Sequence, residues 1–405
     1  MNDTQTTTRI SSRIASTPPS ATLAVSSRAA ELRQEGVDVV DFGAGQPDFD
    51  TPVLIKDRAI EALQGGFTKY TPTGGMVPLK KAITARASEV QSFDLNPQQV
   101  VVANGAKHAL FNALYCLCDP GDEVICISPY WTSYPEQIQL VGATPVILQT
   151  DAHRDYAVDP AALAEAITDR TRVLILNSPN NPTGRVYDQA ELEAIAEVLR
   201  KAPQVSVLSD EIYDRLVYAP SEHIGFLRAA PDLADRVVII GSVSKSFAMT
   251  GWRIGWSIAP LEISKAIETF QSHATSCANS FAQKGALAAL LADSSINDAM
   301  VTQFDKRRLY MFSRLSSMQG IDLSEPQGAF YAFADIRSYL GKKRGETKLQ
   351  DSIDFCKSCL DETGVSIVPG AAFGMNDHIR FSYATSSDEI EKGLDRFEEF
   401  IETLR

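Results

Sequence analysis

Val237-Val238-Ile239-Ile240-Gly241-Ser242-Val243-Ser244-Lys245-Ser246-Phe247-Ala248-Met249-Thr250-Gly251-Trp252-Arg253-Ile254-Gly255 is the stretch on which the reading of this chain turns. Its first five residues form an apolar run of strand length, and the run empties into small hydroxyls, a lysine and an arginine. An isolated loop lysine is ordinarily solvated. One held among apolar and cationic neighbours loses part of its preference for the charged form, which makes a neutral nucleophilic amine available near pH 7. Schiff-base chemistry requires such an amine, and Arg253, Ser242 and the glycines around Lys245 favour that reading over the bland one.

On either side of this stretch, candidate helices alternate with short apolar strands from Asp50 to about Pro260, the pattern of a sheet covered on both faces by crossover helices. Strands are expected at Val100–Ala103, Glu123–Ile127, Thr144–Leu148, Val173–Leu176, Val205–Ser209, Val237–Gly241 and Ile254–Ile258. Asp50-Thr51-Pro52 reads as an N-cap followed by a first-turn proline, and Gly65-Gly66 as the end of that helix. Beyond Pro260 long helical stretches take over, through Ala286–Leu291 and Asp298–Met318. A strand-like Ala329–Phe333, a helix at Ser352–Thr363, a strand at Ile379–Tyr383 and a last helix opened by Ser386-Ser387-Asp388-Glu389 follow. Ligands in such sheets bind beyond the carboxyl ends of the strands, so the residues there carry the functional argument.

At 405 residues the chain exceeds one ordinary core, which predicts a large α/β domain with a smaller companion. Acidic residues outnumber basic ones by 51 to 38, a net charge of -13 that repels a phosphate backbone; nucleic acid is not an expected partner. The apolar runs are strand-sized and fall short of a membrane span. Met1–Ser12 is polar and lacks the apolar stretch of a secretory signal. A cytoplasmic location with a loose N-terminal end is the expectation, and the six cysteines, mostly in apolar segments, are expected to be reduced. Cys356 and Cys359 form a C-x-x-C pair, but Asp354–Leu360 reads as amphipathic helix with no second pair or nearby His, so packing is preferred to metal or redox chemistry.

Other strand ends carry polar clusters. Asn177-Ser178-Pro179-Asn180-Asn181-Pro182-Thr183-Gly184 follows one strand and by composition alone is a turn. Asp210-Glu211-Ile212-Tyr213 closes the next; Asp210 could cap a following helix, and Tyr213 could be a half-buried helix residue. Asn104-Gly105-Ala106-Lys107-His108 joins a strand to a helix with small residues where free amides could face an anion. Arg380 lies on a strand with apolar neighbours, and its planar fork suits a carboxylate.

Together these segments resemble the class I and II aminotransferases, the aspartate aminotransferase family, over nearly the whole chain after about Arg13. The resemblance implies an α/β protein of PLP fold type I. Its large domain, residues 50–298, would hold a mostly parallel seven-stranded sheet between helices; residues 13–49 and 299–405 would form a smaller α+β domain. It implies pyridoxal 5'-phosphate (PLP) as cofactor, amino acids and 2-oxo acids as substrates, and a homodimer with shared active sites. By position Lys245 anchors the cofactor as a Schiff base and then acts as base, Arg253 binds the cofactor phosphate with help from Ser242, and Ser244 counts with them. Gly105, Ala106 and Lys107 line the phosphate cup, and Asp210 keeps the pyridine nitrogen protonated so that the ring accepts electrons. Asn181 and Tyr213 bond the phenolic oxygen, Trp131 stacks on the ring, and Tyr70 reaches the phosphate of the neighbouring subunit. Arg380 takes the substrate α-carboxylate, with Asn181 near it and Trp131 also facing the substrate, Gly45 belongs to the backbone that closes over it, and Lys107 recognises a distal carboxylate in the prokaryotic-type aspartate enzymes. Aspartate with 2-oxoglutarate is therefore the first choice, with prephenate and aromatic oxo acids open. Gln46, His108 and His273 depart from close relatives near the expected pocket.

Three rival classes are weighed against this reading. A PLP-dependent C–S or β-lyase would use the same lysine and aspartate. A PLP-sensing regulator would need a DNA-binding extension and basic patch, and neither is visible. A nicotinamide-binding Rossmann enzyme would need a G-x-G-x-x-G after an early strand, and none is found.

Overall fold

The computed structural model describes residues 9–15, 17, 18, 21–345 and 347–405; most of the Met1–Ser12 stretch therefore lies outside the described residues. Seven strands build the main sheet: β1 Val100–Ala103, β2 Glu123–Ser128, β3 Thr144–Gln149, β4 Thr171–Asn177, β5 Ser206–Asp210, β6 Val237–Ser242 and β7 Gly255–Ile258. Their order is β1-β7-β6-β5-β4-β2-β3. All neighbours pair in parallel except β7, which runs antiparallel to both β1 and β6. Strands β1 and β6 are buried along their whole length and β4 at all but one residue, and apolar clusters cover both faces of the sheet.

Helices α1 Val53–Gln64, α2 Val77–Gln91, α3 Ala106–Leu117, α4 Ser133–Leu140, α5 Gln189–Arg200, α6 Leu261–Ala274 and α7 Ser280–Leu291 accompany this sheet. The start of α1 differs from expectation. Pro52, not Asp50 or Thr51, holds the cap position, and no side chain caps the helix. Thr51 is otherwise engaged: its hydroxyl donates to Ala248 O at 2.6 Å and accepts from Trp252 Nε1 at 3.0 Å, which ties the head of α1 to the segment after Lys245.

A second cluster gathers residues from the C-terminal part with Val40, Phe42, Tyr213, Leu216 and Tyr218. It surrounds a three-stranded antiparallel sheet of β8 Tyr331–Asp335, β9 Val368–Pro369 and β10 His378–Ser382, ordered β9-β10-β8. Helices α8 Asp298–Ser317, α9 Ser352–Thr363 and α10 Ser387–Glu402 pack with it. The strand expected at Ala329–Phe333 begins two residues later, because Ala329 sits at φ +57, outside the extended region. Ser386 caps α10 by accepting from Glu389 N. Cys356 and Cys359 both face the core from α9.

Candidate active site

Four strand ends converge. β1 delivers Asn104 and Gly105, β4 ends on Asn177, β5 on Asp210 and β6 on Ser242, and the ladder sets Asn177 opposite Asp210. Antiparallel β7 starts at this same edge: Gly255 pairs with Ala103 on one side and Ser242 on the other. This inversion places Arg253, just before β7, between the β1 and β6 turns. The fit requires glycine at two positions. A Cβ on Gly255 would lie 2.3 Å from Ala106 N, and one on Gly105, whose φ is +90, would lie 2.2 Å from Arg253 Nη2.

The strand ends border a cavity of roughly 670 Å³ that reaches Lys245, Asp210, Tyr213, Asn181, Arg253 and Arg380. Gly45, Ala106, Lys107, Trp131, Ser242 and Ser244 also line it. Gly105 lies beside Arg253 at the same edge. Tyr70 is 91% exposed and does not line the cavity of its own chain. Of the three departures, Gln46 lines the cavity and accepts from Thr250 Oγ1 at 3.1 Å, whereas His108 turns its Nδ1 to Asn104 N at 3.2 Å. His273 is exposed on α6.

The hydrogen bonds fix the walls. Arg253 donates to Thr250 O at 2.8 Å and Asn104 O at 3.2 Å, and Ser242 Oγ accepts from Ser244 N at 2.9 Å. Ala106 N and Lys107 N open α3, where amides have no intrahelical partner. Arg380, only 2% exposed, donates from Nη1 to Asn181 Oδ1 and from Nη2 to Gly43 O, each at 3.0 Å. Its guanidinium lies over Tyr331 at 4.3 Å and Phe373 at 5.0 Å, while Lys107 Nζ stands 4.8 Å from the Trp131 ring centre. Lys245 Nζ donates to Gly45 O, so the early segment crosses directly over the lysine.

Charge in the cavity is strongly perturbed. Cavity solvent reaches part of the Lys245 side chain, but the amine sits deep in the protein; burial, then Arg380, Arg253 and Lys107, lower its pKa to about 7 against the opposing pull of Asp210. Burial raises Asp210 to about 6, with the Tyr134 hydroxyl and the Ile212 amide favouring its charge. Burial and then Arg253 lower Lys107, and burial raises Tyr213 well above the usual tyrosine range.

Two contributors escape a reading of the sequence. Tyr134 donates to Asp210 Oδ2 at 2.6 Å, and Tyr331 shares a 3.0 Å contact with Tyr213 through their hydroxyls. Tyr331 stands in an aromatic strand and Tyr134 in a largely polar segment, and nothing in either local pattern marks the contact.

The chain belongs to the aminotransferase class I and II family, whose sequence profile matches residues 37–397, and it is accordingly an aminotransferase. It is 41% identical over 390 residues to the aspartate/prephenate aminotransferase of Nitrosomonas europaea, covering 96% of this chain and 98% of that protein. It is 42% identical over 394 residues to an aspartate aminotransferase of Geobacillus stearothermophilus, covering 97% and 99%. The crystal structure of the aspartate aminotransferase from Rhizobium meliloti superposes with a TM-score of 0.95 at 38% identity, over 98% of this chain and 100% of that one. The fold is thus fold type I, and homologues in this family depend on PLP.

The residues present fit that cofactor. Asp210 Oδ1 is buried without a hydrogen-bond partner in a wall of the cavity, as suits an acceptor awaiting a ring N–H. The helix start at Gly105–Lys107, with free amides and Arg253 beside it, has the donors and charge that a phosphate requires.

Proposed function

We propose that this aminotransferase passes the amino group of aspartate to 2-oxoglutarate, with Lys245 as the cofactor's covalent anchor and the base of the reaction. The observation that carries the substrate assignment is the pair of cations in one cavity, Arg380 buried at one wall and Lys107 near Trp131, which suits a dicarboxylate. The names of the Nitrosomonas and Geobacillus relatives point the same way.

PLP, when bound, supplies an electron sink next to the substrate's Cα. Gly105, Ala106, the main-chain amide of Lys107, Ser242, Ser244 and Arg253 would hold its phosphate, Trp131 its ring face, and Asn181 and Tyr213 its phenolic oxygen. Asp210 Oδ1 would accept the ring N–H. Arg380 grips the α-carboxylate through two parallel bonds, and Gly45 closes the backbone above it; fixing the substrate this way directs the Cα–H bond at Lys245 Nζ. A pKa of about 7 leaves much of that amine neutral near pH 7, able to take the proton and later return it.

Tyr70, 91% exposed in its own chain, would reach the partner subunit's phosphate in a homodimer. The exposed Val53, Leu54, Ile60 and Leu63 on α1 and the neighbouring groove lined by Phe49, Trp252 and Phe281 supply apolar surface for such a contact. We divide the chain into a large domain, 50–298, and a small one, 13–49 with 299–405; two apolar clusters lie wholly within the first, and the cluster of the second also takes in Tyr213, Leu216 and Tyr218. A cytoplasmic setting suits its six unpaired cysteines. Among the described residues no helix is long and apolar enough to cross a membrane.

Prephenate is the second acceptor to consider, since the Nitrosomonas relative is named for both activities. A coupled assay of the PLP-loaded protein with aspartate, glutamate and phenylalanine as donors and 2-oxoglutarate and prephenate as acceptors decides. Fastest turnover with aspartate and 2-oxoglutarate is expected. Release of ammonia and pyruvate without any oxo acid would instead identify a lyase.

A further inference from the structure

Tyr134 lies one turn beyond Trp131, near the start of α4, and is 2% exposed. Its hydroxyl donates to Asp210 Oδ2 at 2.6 Å, and its ring meets that of Trp131 edge-on, with centroids 5.4 Å apart and planes at 82°. It thus touches two cavity residues at once. The other oxygen of Asp210, Oδ1, is buried and unpartnered. A buried acceptor left unpaired is costly, so a carboxylate held at one oxygen only is poised for a donor from the cavity.

We propose that Tyr134 is a positioning residue for amino transfer: its hydroxyl occupies Oδ2, so that Oδ1 alone is offered to the cofactor's ring N–H, while its ring braces Trp131. The proposal rests on the reading of Asp210 as partner of the ring nitrogen. A carboxylate can turn about its last bond and present either oxygen. A donor fixed on α4 removes that freedom, and being uncharged it leaves the carboxylate its full net charge to set against the ring N–H.

The electrostatics agree with this geometry. Asp210 faces Tyr134 from α4, the Ile212 amide and Glu211 from its own segment, and Lys245 from the turn after β6. Tyr134 in turn faces Cys126 on β2 and Tyr213. Among the influences that favour charge on Asp210, the Tyr134 hydroxyl is the largest; the Ile212 amide and Lys245 contribute less, while burial and Glu211 oppose. Loss of the hydroxyl therefore protonates Asp210 more readily and weakens its hold on the ring N–H.

The test uses PLP-loaded wild-type, Tyr134→Phe and Asp210→Asn proteins, and a protein with a fluorinated tyrosine in place of Tyr134. Three quantities are read: the pH midpoint of bound-PLP absorbance, the rate of PLP release on dilution, and kcat beside the inhibition constant of succinate. In Tyr134→Phe the midpoint rises by about one pH unit, PLP leaves about tenfold faster and kcat falls about 10- to 100-fold. Succinate inhibition stays within about twofold, because Arg380 and Lys107 carry the carboxylates. The fluorinated ring keeps the shape and strengthens the donor, so the midpoint moves down; this protein decides the matter if Tyr134→Phe does not fold. An unmoved midpoint in the fluorinated protein, or in a folded Tyr134→Phe, overturns the role of Tyr134. Asp210→Asn separates the two levels. If it keeps wild-type PLP retention and kcat, the reading of Asp210 itself fails; if it is impaired while Tyr134→Phe is not, only the inference about Tyr134 falls.

Discussion

Replacing Arg380 by lysine keeps the positive charge and removes the fork. The guanidinium offers five N–H donors; one on Nη1 goes to Asn181 Oδ1 and one on Nη2 to Gly43 O, while the buried Nε has no partner. Three donors therefore remain for a substrate carboxylate, enough for a two-point grip on a plane set by Tyr331 and Phe373. An ammonium in that slot retains at most one of the two bonds. Loss of one charge-assisted hydrogen bond costs about 1.5–3 kcal/mol, or roughly 10- to 150-fold in the dissociation constant. Truncation to alanine costs about 2 kcal/mol or more in binding and also strips Asn181 Oδ1 and Gly43 O of their donor, so its melting temperature falls as well. The lysine variant is therefore the cleaner probe. Aspartate is titrated into the PLP-loaded variant and the change in cofactor absorbance gives the dissociation constant. A value within twofold of wild type, in protein that retains its cofactor, places the α-carboxylate elsewhere and refutes the argument.

Other outcomes follow from the same geometry. Lys107→Gln is expected to raise KM for aspartate and 2-oxoglutarate about tenfold and to leave phenylalanine nearly unchanged; equal effects on both substrate types would separate Lys107 from the distal carboxylate. Tyr70→Phe is expected to speed PLP release, and if each Tyr70 serves its partner, mixing its subunits with Lys245→Ala subunits should yield hybrids with one intact site; hybrids with no such site would assign Tyr70 to its own chain. In protein freed of PLP, the lowered pKa predicts that acylation of Lys245 rises with pH and levels off above about 7, because only the neutral amine reacts. Mass spectrometry of the labelled peptide checks this, and a rate still climbing towards pH 10, the usual lysine behaviour, contradicts it.

The β1 strand, Val100–Ala103, has the bounds its sequence suggests, because an apolar run is broken there by Asn104-Gly105. The strands β4, β5 and β6 run one residue further than their apolar runs. Asn177, Asp210 and Ser242 are polar and read locally as loop, yet they still pair in the ladder and are held rigidly at the cavity wall. The antiparallel direction of β7 is invisible in composition, although it places Arg253 against Gly105. Asp210 also illustrates a local reading that the fold replaces: no helix follows it, and it caps none. Lys245, Arg253 and Arg380 stand out in sequence because charge among apolar neighbours needs a reason. Tyr134 and Tyr331 do not, since a tyrosine in a helix or an aromatic strand looks like packing, and what distinguishes them is a partner 76 residues away for Tyr134 and 118 for Tyr331.

The identity of the covalently attached lysine can be read directly. Borohydride reduction of the PLP-loaded protein, followed by digestion and mass spectrometry, should find the reduced cofactor on the peptide containing Lys245 and on no other. A label on a different lysine, or none on a protein that still turns over, would contradict the account at its root.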